Sequence, residues 1–347
     1  MWAAWTRSCR PGASTVSRSD WAASLTGWRP NWRRSAAGNL AGWCAGGRAG
    51  RGRRHESHGG AVLRYRLSGP WLLGLRAFRR LAGGRAPAFR ILFFHDVPKD
   101  RFEAFRNLVG YVKRYHGVVS PEEAATWLLG AAPARPAAGL GRYPCLFAFD
   151  DGFASNYALA KQCLAEHGVK ALFFVCPGLI ELPAGDQRAG IAAHIFDGRL
   201  AADSLPEGLR LMSWTELEEL GSLGHCIGCH GMSHRRLSLL EGDGLRREIV
   251  DAGDLLERRL GGPVSWFAFA FGGIDSISRP ALRVISEKYR FCRSGLRGSN
   301  AAGTEPMAVF ADHIDLLAPT AYRKLVLEGG LDIRYRRARR RLNAMVG

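Results

Sequence analysis

Phe147-Ala148-Phe149-Asp150-Asp151-Gly152 ends an apolar run with two adjacent carboxylates. The run that begins at Cys145 has the length and composition of a buried strand. Successive side chains of a strand point to opposite faces, so the two carboxylates at its end can take different roles. One carboxylate can bind a metal ion while the other accepts a proton from water.

Short apolar runs alternate with amphipathic segments on both sides of this strand. That order is typical of parallel strands with helices packed outside them, and it predicts an α/β fold. Strands are predicted at residues 90–94, 145–150, 171–176, 225–228 and 264–269, and helices at 101–115, 155–166, 243–260 and near 278–288. Ser213 and Glu216 form a capping box that starts a further helix, which Gly224 ends. In such folds the working groups lie where strands end.

A second motif, His230-Gly231-Met232-Ser233-His234, places two imidazoles four residues apart after a predicted strand. Neutral imidazole nitrogens suit zinc or a similar divalent metal. With one carboxylate they give three protein ligands, which leaves positions open for water and a substrate carbonyl, as in catalytic metal sites. The residues therefore predict a metal-dependent hydrolase. His95, at the end of another predicted strand, is a candidate for lining the cleft.

These motifs resemble those of the polysaccharide deacetylase family, carbohydrate esterase family four. Phe147 to Gly152 resembles its T-F-D-D-G motif, and Ile227 to His234 is similar to its I-G-x-H-[ST]-x-[ST]-H segment. Further stretches agree in the same order, so the resemblance covers about residues 90–317. These are RILFFHDVP (90–98), GVKALFFVCPG (168–178), MSWTELEELGSLG (212–224) and WFAFAFGG (266–273).

The resemblance implies a distorted, TIM-like (β/α) barrel that uses a divalent metal, usually zinc, to remove an N-acetyl group from an amino sugar. Carried over by position, the metal ligands are Asp151, His230 and His234, and the general base is Asp150. The implied substrate is an N-acylated amino sugar in a polysaccharide, an oligosaccharide or a lipid-linked precursor, in envelope polysaccharide metabolism.

Two further roles are carried over from the family. The backbone N–H of Phe271 falls at the position of the oxyanion hole, which must point donors at the developing tetrahedral oxyanion. His313, in the segment 311–315, is the counterpart of the family's late catalytic His, the acid that protonates the leaving amine.

The chain departs from the family pattern at two places. Ala270-Phe271 stands where the family has Pro-Tyr, which keeps a backbone donor but loses a hydroxyl. Trp266 and Phe267 stand where the family has the Arg that orients the base. These departures leave open the alternative of a barrel with a degraded site that only binds glycans.

Two other interpretations concern the same His motif. Cys226-Ile227-Gly228-Cys229-His230 spells C-x-x-C-H, the attachment signature of c-type haem. That interpretation requires export to an oxidising compartment and leaves the Asp150-Asp151 pair unexplained. A non-haem iron oxygenase also uses two His and a carboxylate. Its carboxylate normally falls two residues after the first His, where this chain has Met232.

The net charge of +18 is concentrated near the two ends of the chain. Residues 1–90 hold 17 Arg, no Lys and only two acids, and six more Arg fall within residues 334–341. The part between them has a small net negative charge. A specific nucleic-acid-binding face on the folded domain is therefore not expected.

The composition divides the chain into four segments. Residues 1–60, rich in Arg, Trp, Gly and Ala without periodicity, are expected to be disordered, and a misassigned start codon is one hypothesis for them. Residues 61–85 are basic and amphipathic, with an interruption at Gly69-Pro70. They suit the surface of an anionic membrane or the outside of the domain. Residues 86–330 are the predicted catalytic domain, and residues 331–347 a basic tail.

Neither a secretory signal nor a membrane-spanning apolar run is recognised in the sequence. The eight Cys lack the spacing of a disulfide framework, which favours a reducing compartment. A cytoplasmic location is therefore expected, with peripheral contact to an anionic membrane through the basic termini.

Overall fold

The computed structural model describes residues 58–81, 87–131 and 143–347. Within these residues one sheet contains eight strands, six of them in the order β6-β5-β4-β3-β2-β1 with every neighbouring pair parallel. The strands are β1 (Ala88–Phe94), β2 (Cys145–Phe149), β3 (Ala171–Val175), β4 (Cys226–Cys229), β5 (Trp266–Ala268), β6 (Phe291–Arg293), β7 (Asn300–Ala301) and β8 (Asp312–His313). β7 pairs with the start of β1 in antiparallel orientation.

The segment 309–313 joins the two edges of the curled sheet. At its start, Val309 forms a parallel bridge with Arg293 of β6, and its N–H donates to the Cys292 carbonyl over 3.0 Å. At its end, β8 pairs in parallel with β1, with His313 in register with Phe93. The predicted distorted (β/α) barrel is therefore confirmed.

Helices surround this barrel, and three of them contain a π-helical stretch. The helices are α1 (His58–Leu81), α2 (Phe102–Tyr115), α3 (Pro121–Leu128), α4 (Ala154–Leu159, continued by π-helical Ala160–Leu164 and by Ala165–His167), α5 (Pro177–Ile180), α6 (Ala184–Gly190, continued by π-helical Ile191–Ile195), α7 (Trp214–Ser222), α8 (Gly242–Arg246, continued by π-helical Arg247–Asp251 and by Ala252–Leu260), α9 (Arg279–Lys288), α10 (Thr320–Leu327) and α11 (Asp332–Val346). No described helix is both long and apolar enough to cross a membrane.

Alternation along the strands divides the hydrophobic core into two clusters. In β1, Phe89, Ile91 and Phe93 belong to the cluster inside the barrel, whereas Leu92 and Phe94 belong to the cluster between the barrel and the helices. Because both faces of these parallel strands are buried, the strands read as continuous apolar runs. The inner cluster is continued by Trp127 of α3, whose ring lies 5.3 Å from that of Phe89 at the start of β1.

Local sequence signals fix several helix ends. α7 begins at the predicted capping box, in which the Glu216 N–H donates to Ser213 Oγ over 3.3 Å and the Ser213 N–H donates to the Glu216 carboxylate over 2.8 Å. The continuation of α4 ends at Gly168 and that of α8 at Gly261, both in the left-handed conformation that glycine adopts without strain.

The two terminal segments differ from the sequence predictions. α1 continues through Gly69-Pro70, where an interruption was predicted. Contacts with the domain hold the helix on both sides of the proline, through Tyr65 before it and Arg76 after it. The basic segment 331–347 is the packed helix α11 over most of its length, with Leu342 buried, and not a free tail. Residues 1–60 were predicted to be disordered. Residues 1–57 lie outside the described residues, so this stays a prediction for them.

Candidate active site

At the carboxyl ends of the strands, the side chains that point into the barrel are polar. In β2 the inward side chains are Leu146 and Ala148, so Asp150 occupies the next inward position. The Asp150 N–H donates to the Phe94 carbonyl over 2.8 Å, which extends the ladder between β1 and β2 by one residue. The strand register therefore directs this carboxylate towards the axis at the carboxyl end of the barrel.

Arg293 of β6 forms an ion pair with Asp150, which the sequence analysis did not predict. Its Nη2 lies 2.6 Å from both carboxylate oxygens of Asp150, and both side chains are buried. The guanidinium lies 4.6 Å from the ring centroid of Phe93 and 4.9 Å from that of Phe174, so it is held between two aromatic rings. Trp266 and Phe267 stand at the place of the family's Arg, as the sequence analysis noted, and an arginine reaches Asp150 from β6 instead.

Asp151 lies in a tight turn beside the two His residues. Its φ of 70° is unusual for a residue with a side chain, and Gly152 continues the turn with φ of 81°. Asp151 Oδ1 is 3.5 Å from His230 Nε2 and 3.3 Å from His234 Nε2. The structure thus brings together the three residues that were predicted as metal ligands, and all three are buried.

Backbone carbonyls orient both imidazoles towards Asp151. His230 Nδ1 donates to the Ala268 carbonyl over 2.6 Å, and His234 Nδ1 donates to the His194 carbonyl over 3.1 Å. A carbonyl can only accept, so these bonds place the proton on Nδ1 and leave Nε2 with a lone pair. Such bonds are typical of His residues that bind a metal through the other nitrogen.

Burial and neighbouring charges shift the pKa values of these groups. Burial alone would raise the pKa of Asp151, but its contact with His230 and the influence of His95 and His234 outweigh burial and hold the pKa well below its ordinary value. Burial lowers the pKa of His234 to about 4, against the smaller opposing effect of Asp151. An ionised carboxylate beside a neutral imidazole is the protonation state that metal binding requires.

The donor set fits a divalent metal ion. One ligand atom from each of Asp151, His230 and His234 lies within 4.8 Å of the others. Asp151 Oδ1 is buried, and no described residue donates a hydrogen bond to it. A buried carboxylate oxygen without a donor is costly unless a cation satisfies it. Asp151 Oδ1, which has no donor and faces two imidazole nitrogens, therefore has the surroundings of a metal ligand.

Glu248 supports the loop between His230 and His234. The sequence motifs did not indicate this residue. The Ser233 N–H and Oγ donate to its carboxylate over 3.0 and 2.5 Å, and the Met232 N–H donates to its backbone carbonyl over 3.1 Å. A Cβ on Gly231 would lie 3.0 Å from Glu248 Oε2. The side chain is buried against this loop and fixes the path of the backbone from His230 to His234.

Phe271 occupies a strained turn at the rim of the site. Its φ is 63°, and no described residue accepts a hydrogen bond from its N–H. Its ring lies 4.6 Å from that of His234, and the Arg236 guanidinium lies over the same Phe271 ring, 3.7 Å from its centroid. Arg236 also donates to Asp197 and to Ser276 Oγ, over 3.2 Å each. Stacking and ion pairing therefore hold this turn against the His234 ring.

An open cleft of about 250 Å³ adjoins His234 at this rim. Its wall includes His194, Asp197, Arg236 and Phe271. Of the three predicted ligands, His234 is therefore the one that borders this cleft.

His95 and His313 form a second pair of imidazoles at the end of the barrel. Their ring centroids are 5.4 Å apart, and His313 also lies 5.4 Å from Phe93. Burial, together with the nearby His95 and Arg297, lowers the pKa of His313 well below its ordinary value. His313 is thus neutral at pH 7, on the strand that closes the barrel.

The geometry does not suit attachment of a haem through Cys226 and Cys229. The two residues are three positions apart in β4, so their side chains point to opposite faces. Cys226 packs on the cluster inside the barrel and Cys229 belongs to the cluster outside it. Attachment to one haem would require both thiols on the same side, so this interpretation is wrong.

Comparison with known proteins identifies the domain. Residues 141–286 match the model of the family described as polysaccharide deacetylase. Over this span the chain is similar to polysaccharide deacetylases. The matched span includes Asp150, Asp151, His230 and His234, whereas Arg293 and His313 lie beyond it. Proteins of this family are hydrolases that act on carbon–nitrogen bonds other than peptide bonds. No curated protein matches the chain.

Solved structures share the fold of this domain over most of its length. IcaB from Ammonifex degensii is 20% identical with a TM-score of 0.52, over 71% of this chain and 98% of its own. The Streptococcus pyogenes deacetylase PplD, in complex with acetate, is 17% identical with a TM-score of 0.53, over 70% and 98%. The deacetylase domain of BpsB from Bordetella bronchiseptica is 18% identical with a TM-score of 0.51, over 67% and 98%. At these identities the likeness shows the fold.

Proposed function

We propose that the protein removes an N-acyl group, most simply acetyl, from an amino sugar in a polysaccharide, an oligosaccharide or a lipid-linked glycan precursor. The observation that carries the proposal is the cluster of Asp151, His230 and His234 directly beside the buried pair of Asp150 and Arg293. The choice of acetyl is supported by the structural relative PplD, which is described as a deacetylase in complex with acetate.

A divalent metal would be held by Asp151, His230 and His234, and zinc suits this set of two imidazoles and one carboxylate. When bound, such an ion supplies a Lewis acid that polarises the amide carbonyl and makes water more acidic. The two backbone carbonyls that accept from the His Nδ1 atoms keep both imidazoles in the tautomer that binds.

The remaining groups handle protons and charge. Asp150 accepts the proton of the attacking water, and its two hydrogen bonds from Arg293 fix the direction of this carboxylate. As the water oxygen bonds to the carbonyl carbon, the N–H of Phe271 donates to the developing oxyanion. The carbon–nitrogen bond then breaks as the leaving amine takes up a proton. His313 is the proposed donor, and because it is neutral at pH 7 it must first receive the proton that Asp150 removed from water. The products are a carboxylate and a free amino sugar.

The alternative of a degraded barrel that only binds glycans rested on two missing groups. Arg293 now supplies the first of them, an arginine that holds the base. The second, the hydroxyl lost at Phe271, does not affect the backbone N–H that the oxyanion requires. The hydrolase is therefore the better supported of the two functions.

Acetate release tests the proposal. The purified full chain is incubated with N-acetylglucosamine as a monosaccharide, as a nucleotide-linked sugar, as a lipid-linked sugar and as a polymer, and acetate is quantified. We expect release from at least one of these, loss of release after chelation, and recovery on addition of zinc. A folded, zinc-loaded protein that releases acetate from none of them would contradict the proposal.

A further inference from the structure

Helix α1 carries an apolar face that the domain leaves uncovered. The exposed fractions of Leu67, Trp71, Phe78 and Leu81 are 54%, 58%, 62% and 88%. Spacings of four, seven and three residues place these side chains on one side of the helix. Leu73 is also exposed, on the flank of the helix between this side and the buried one. A contiguous group of large apolar side chains on a protein surface marks an interaction site.

The opposite face fixes the helix to the domain. Ser68 and Leu72 are buried there, and Tyr65 packs edge-on against Tyr322 of α10 at 5.0 Å between ring centroids. Arg76 Nε donates to both carboxylate oxygens of Glu328 over 3.0 and 3.1 Å. Because the Glu328 carboxylate is buried, rotation of the helix would break an ion pair that is costly to lose. The apolar face therefore points outwards in the folded protein.

The positive charge around the apolar face of α1 indicates which kind of partner it binds. The helix has no Asp or Glu, and Arg66 and Arg80 are exposed on its flank, between the apolar face and the face that packs on the domain. The preceding residues 1–57 hold ten Arg against two acids, and α11 exposes a further group of Arg. Another basic face, from residues 1–57 or from a second copy of this chain, would be repelled. An anionic lipid surface would be attracted.

We propose that α1 docks the protein on an anionic membrane. The helix lies in the plane of the interface, with Leu67, Trp71, Phe78 and Leu81 at the boundary of the acyl chains. Arg66 and Arg80 lie beside them at the level of the anionic headgroups. Tryptophan is suited to this depth because its ring is apolar with one polar edge. This proposal does not depend on the activity proposed above.

Flotation with lipid vesicles tests it. The full chain is mixed with vesicles of phosphatidylcholine, with or without phosphatidylglycerol, and the bound fraction is measured at low and high salt. We expect binding to the phosphatidylglycerol vesicles that salt weakens. The double substitution Trp71→Ser with Phe78→Ser should lower the partition coefficient at least about tenfold. Arg66→Gln with Arg80→Gln should lower it about 30-fold on anionic vesicles alone.

Leu129→Ser is the matched control, since it removes an exposed Leu from the end of α3 and should leave binding unchanged. The double Arg substitution changes only exposed side chains, so it keeps the test valid if the apolar variant does not fold. Equal binding to neutral and anionic vesicles, or unchanged binding by both double variants, would overturn the proposal. So would a dimer in solution that Trp71→Ser with Phe78→Ser dissociates, without any vesicle binding by the unaltered chain.

Discussion

Arg293 Nη2 lies 2.6 Å from both carboxylate oxygens of Asp150, although the two residues are 143 positions apart in the sequence. The bond crosses the interior of the barrel, from β6 to the end of β2. Both charges are buried, so each depends on the other for its stability in the folded protein. A carboxylate that is held in one direction is suited to act as a general base.

Replacing Arg293 should therefore impair turnover without removing the metal. Arg293→Lys keeps the positive charge but loses the planar guanidinium that lies between Phe93 and Phe174. We expect kcat to fall about 100-fold, because a small displacement of the base is enough for such a loss. Acetate release and bound zinc are measured together. Arg290→Lys, at an exposed position before the same strand, is the control, and zinc loss in Arg293→Lys would contradict the assigned role.

Glu248 should control metal affinity more than the chemical step. Glu248→Gln weakens the acceptor for Ser233 N–H and Oγ, so the loop that carries His230 and His234 becomes less fixed. We expect zinc affinity to fall about 10- to 100-fold, with kcat at saturating zinc close to that of the unaltered protein. Competition with a fluorescent chelator gives the affinity. Glu257→Gln, on the same helix, should leave it unchanged; equal losses in both variants would argue against a specific role.

Stability should depend on pH through His225. Burial lowers the pKa of His225 to about 4, and the Ala171 N–H donates to its Nδ1 over 3.2 Å. The unfolded chain therefore binds a proton between pH 6.5 and 4 that the folded protein does not bind, so the free energy of unfolding falls as the pH falls through this window. The loss should be about 3 kcal/mol at most.

His225→Asn keeps an acceptor for the Ala171 N–H but cannot titrate in this range. Urea unfolding at several pH values should show a shallower dependence for this variant than for the unaltered chain. His167→Asn, at a half-buried helix end, is the control. Identical pH profiles for His225→Asn and the unaltered chain would contradict the prediction.

The sequence was sufficient for the parts of the fold that depend on local patterns. The strands at β1 to β5 were predicted within a few residues because parallel strands buried on both faces read as apolar runs. The capping box at Ser213 and the two site motifs were equally local. α10 and α11 were not predicted, because α10 has only eight residues and α11 has six Arg among its 15 residues, which leaves it few apolar positions.

The missed site residues depend on contacts between distant parts of the chain. Arg293 was not found because the family pattern places an Arg near Trp266, whereas here the next strand provides it. A signal was present, since Arg293 follows Phe291 and Cys292 in an apolar run where an unpaired charge would be costly. Glu248 gave a similar signal, because it interrupts the buried face of α8 that contains Leu245 and Ala252.

Separate substitution of the two adjacent acids by Asn tests the central claim most directly. Asp150→Asn and Asp151→Asn have the same chemistry one residue apart, so each serves as the control for the other. The account predicts that Asp150→Asn keeps zinc and loses acetate release, whereas Asp151→Asn loses zinc as well as acetate release. Zinc per protein chain is measured by elemental analysis after gel filtration. Zinc retained by Asp151→Asn and lost by Asp150→Asn would show that the two carboxylates have the opposite roles.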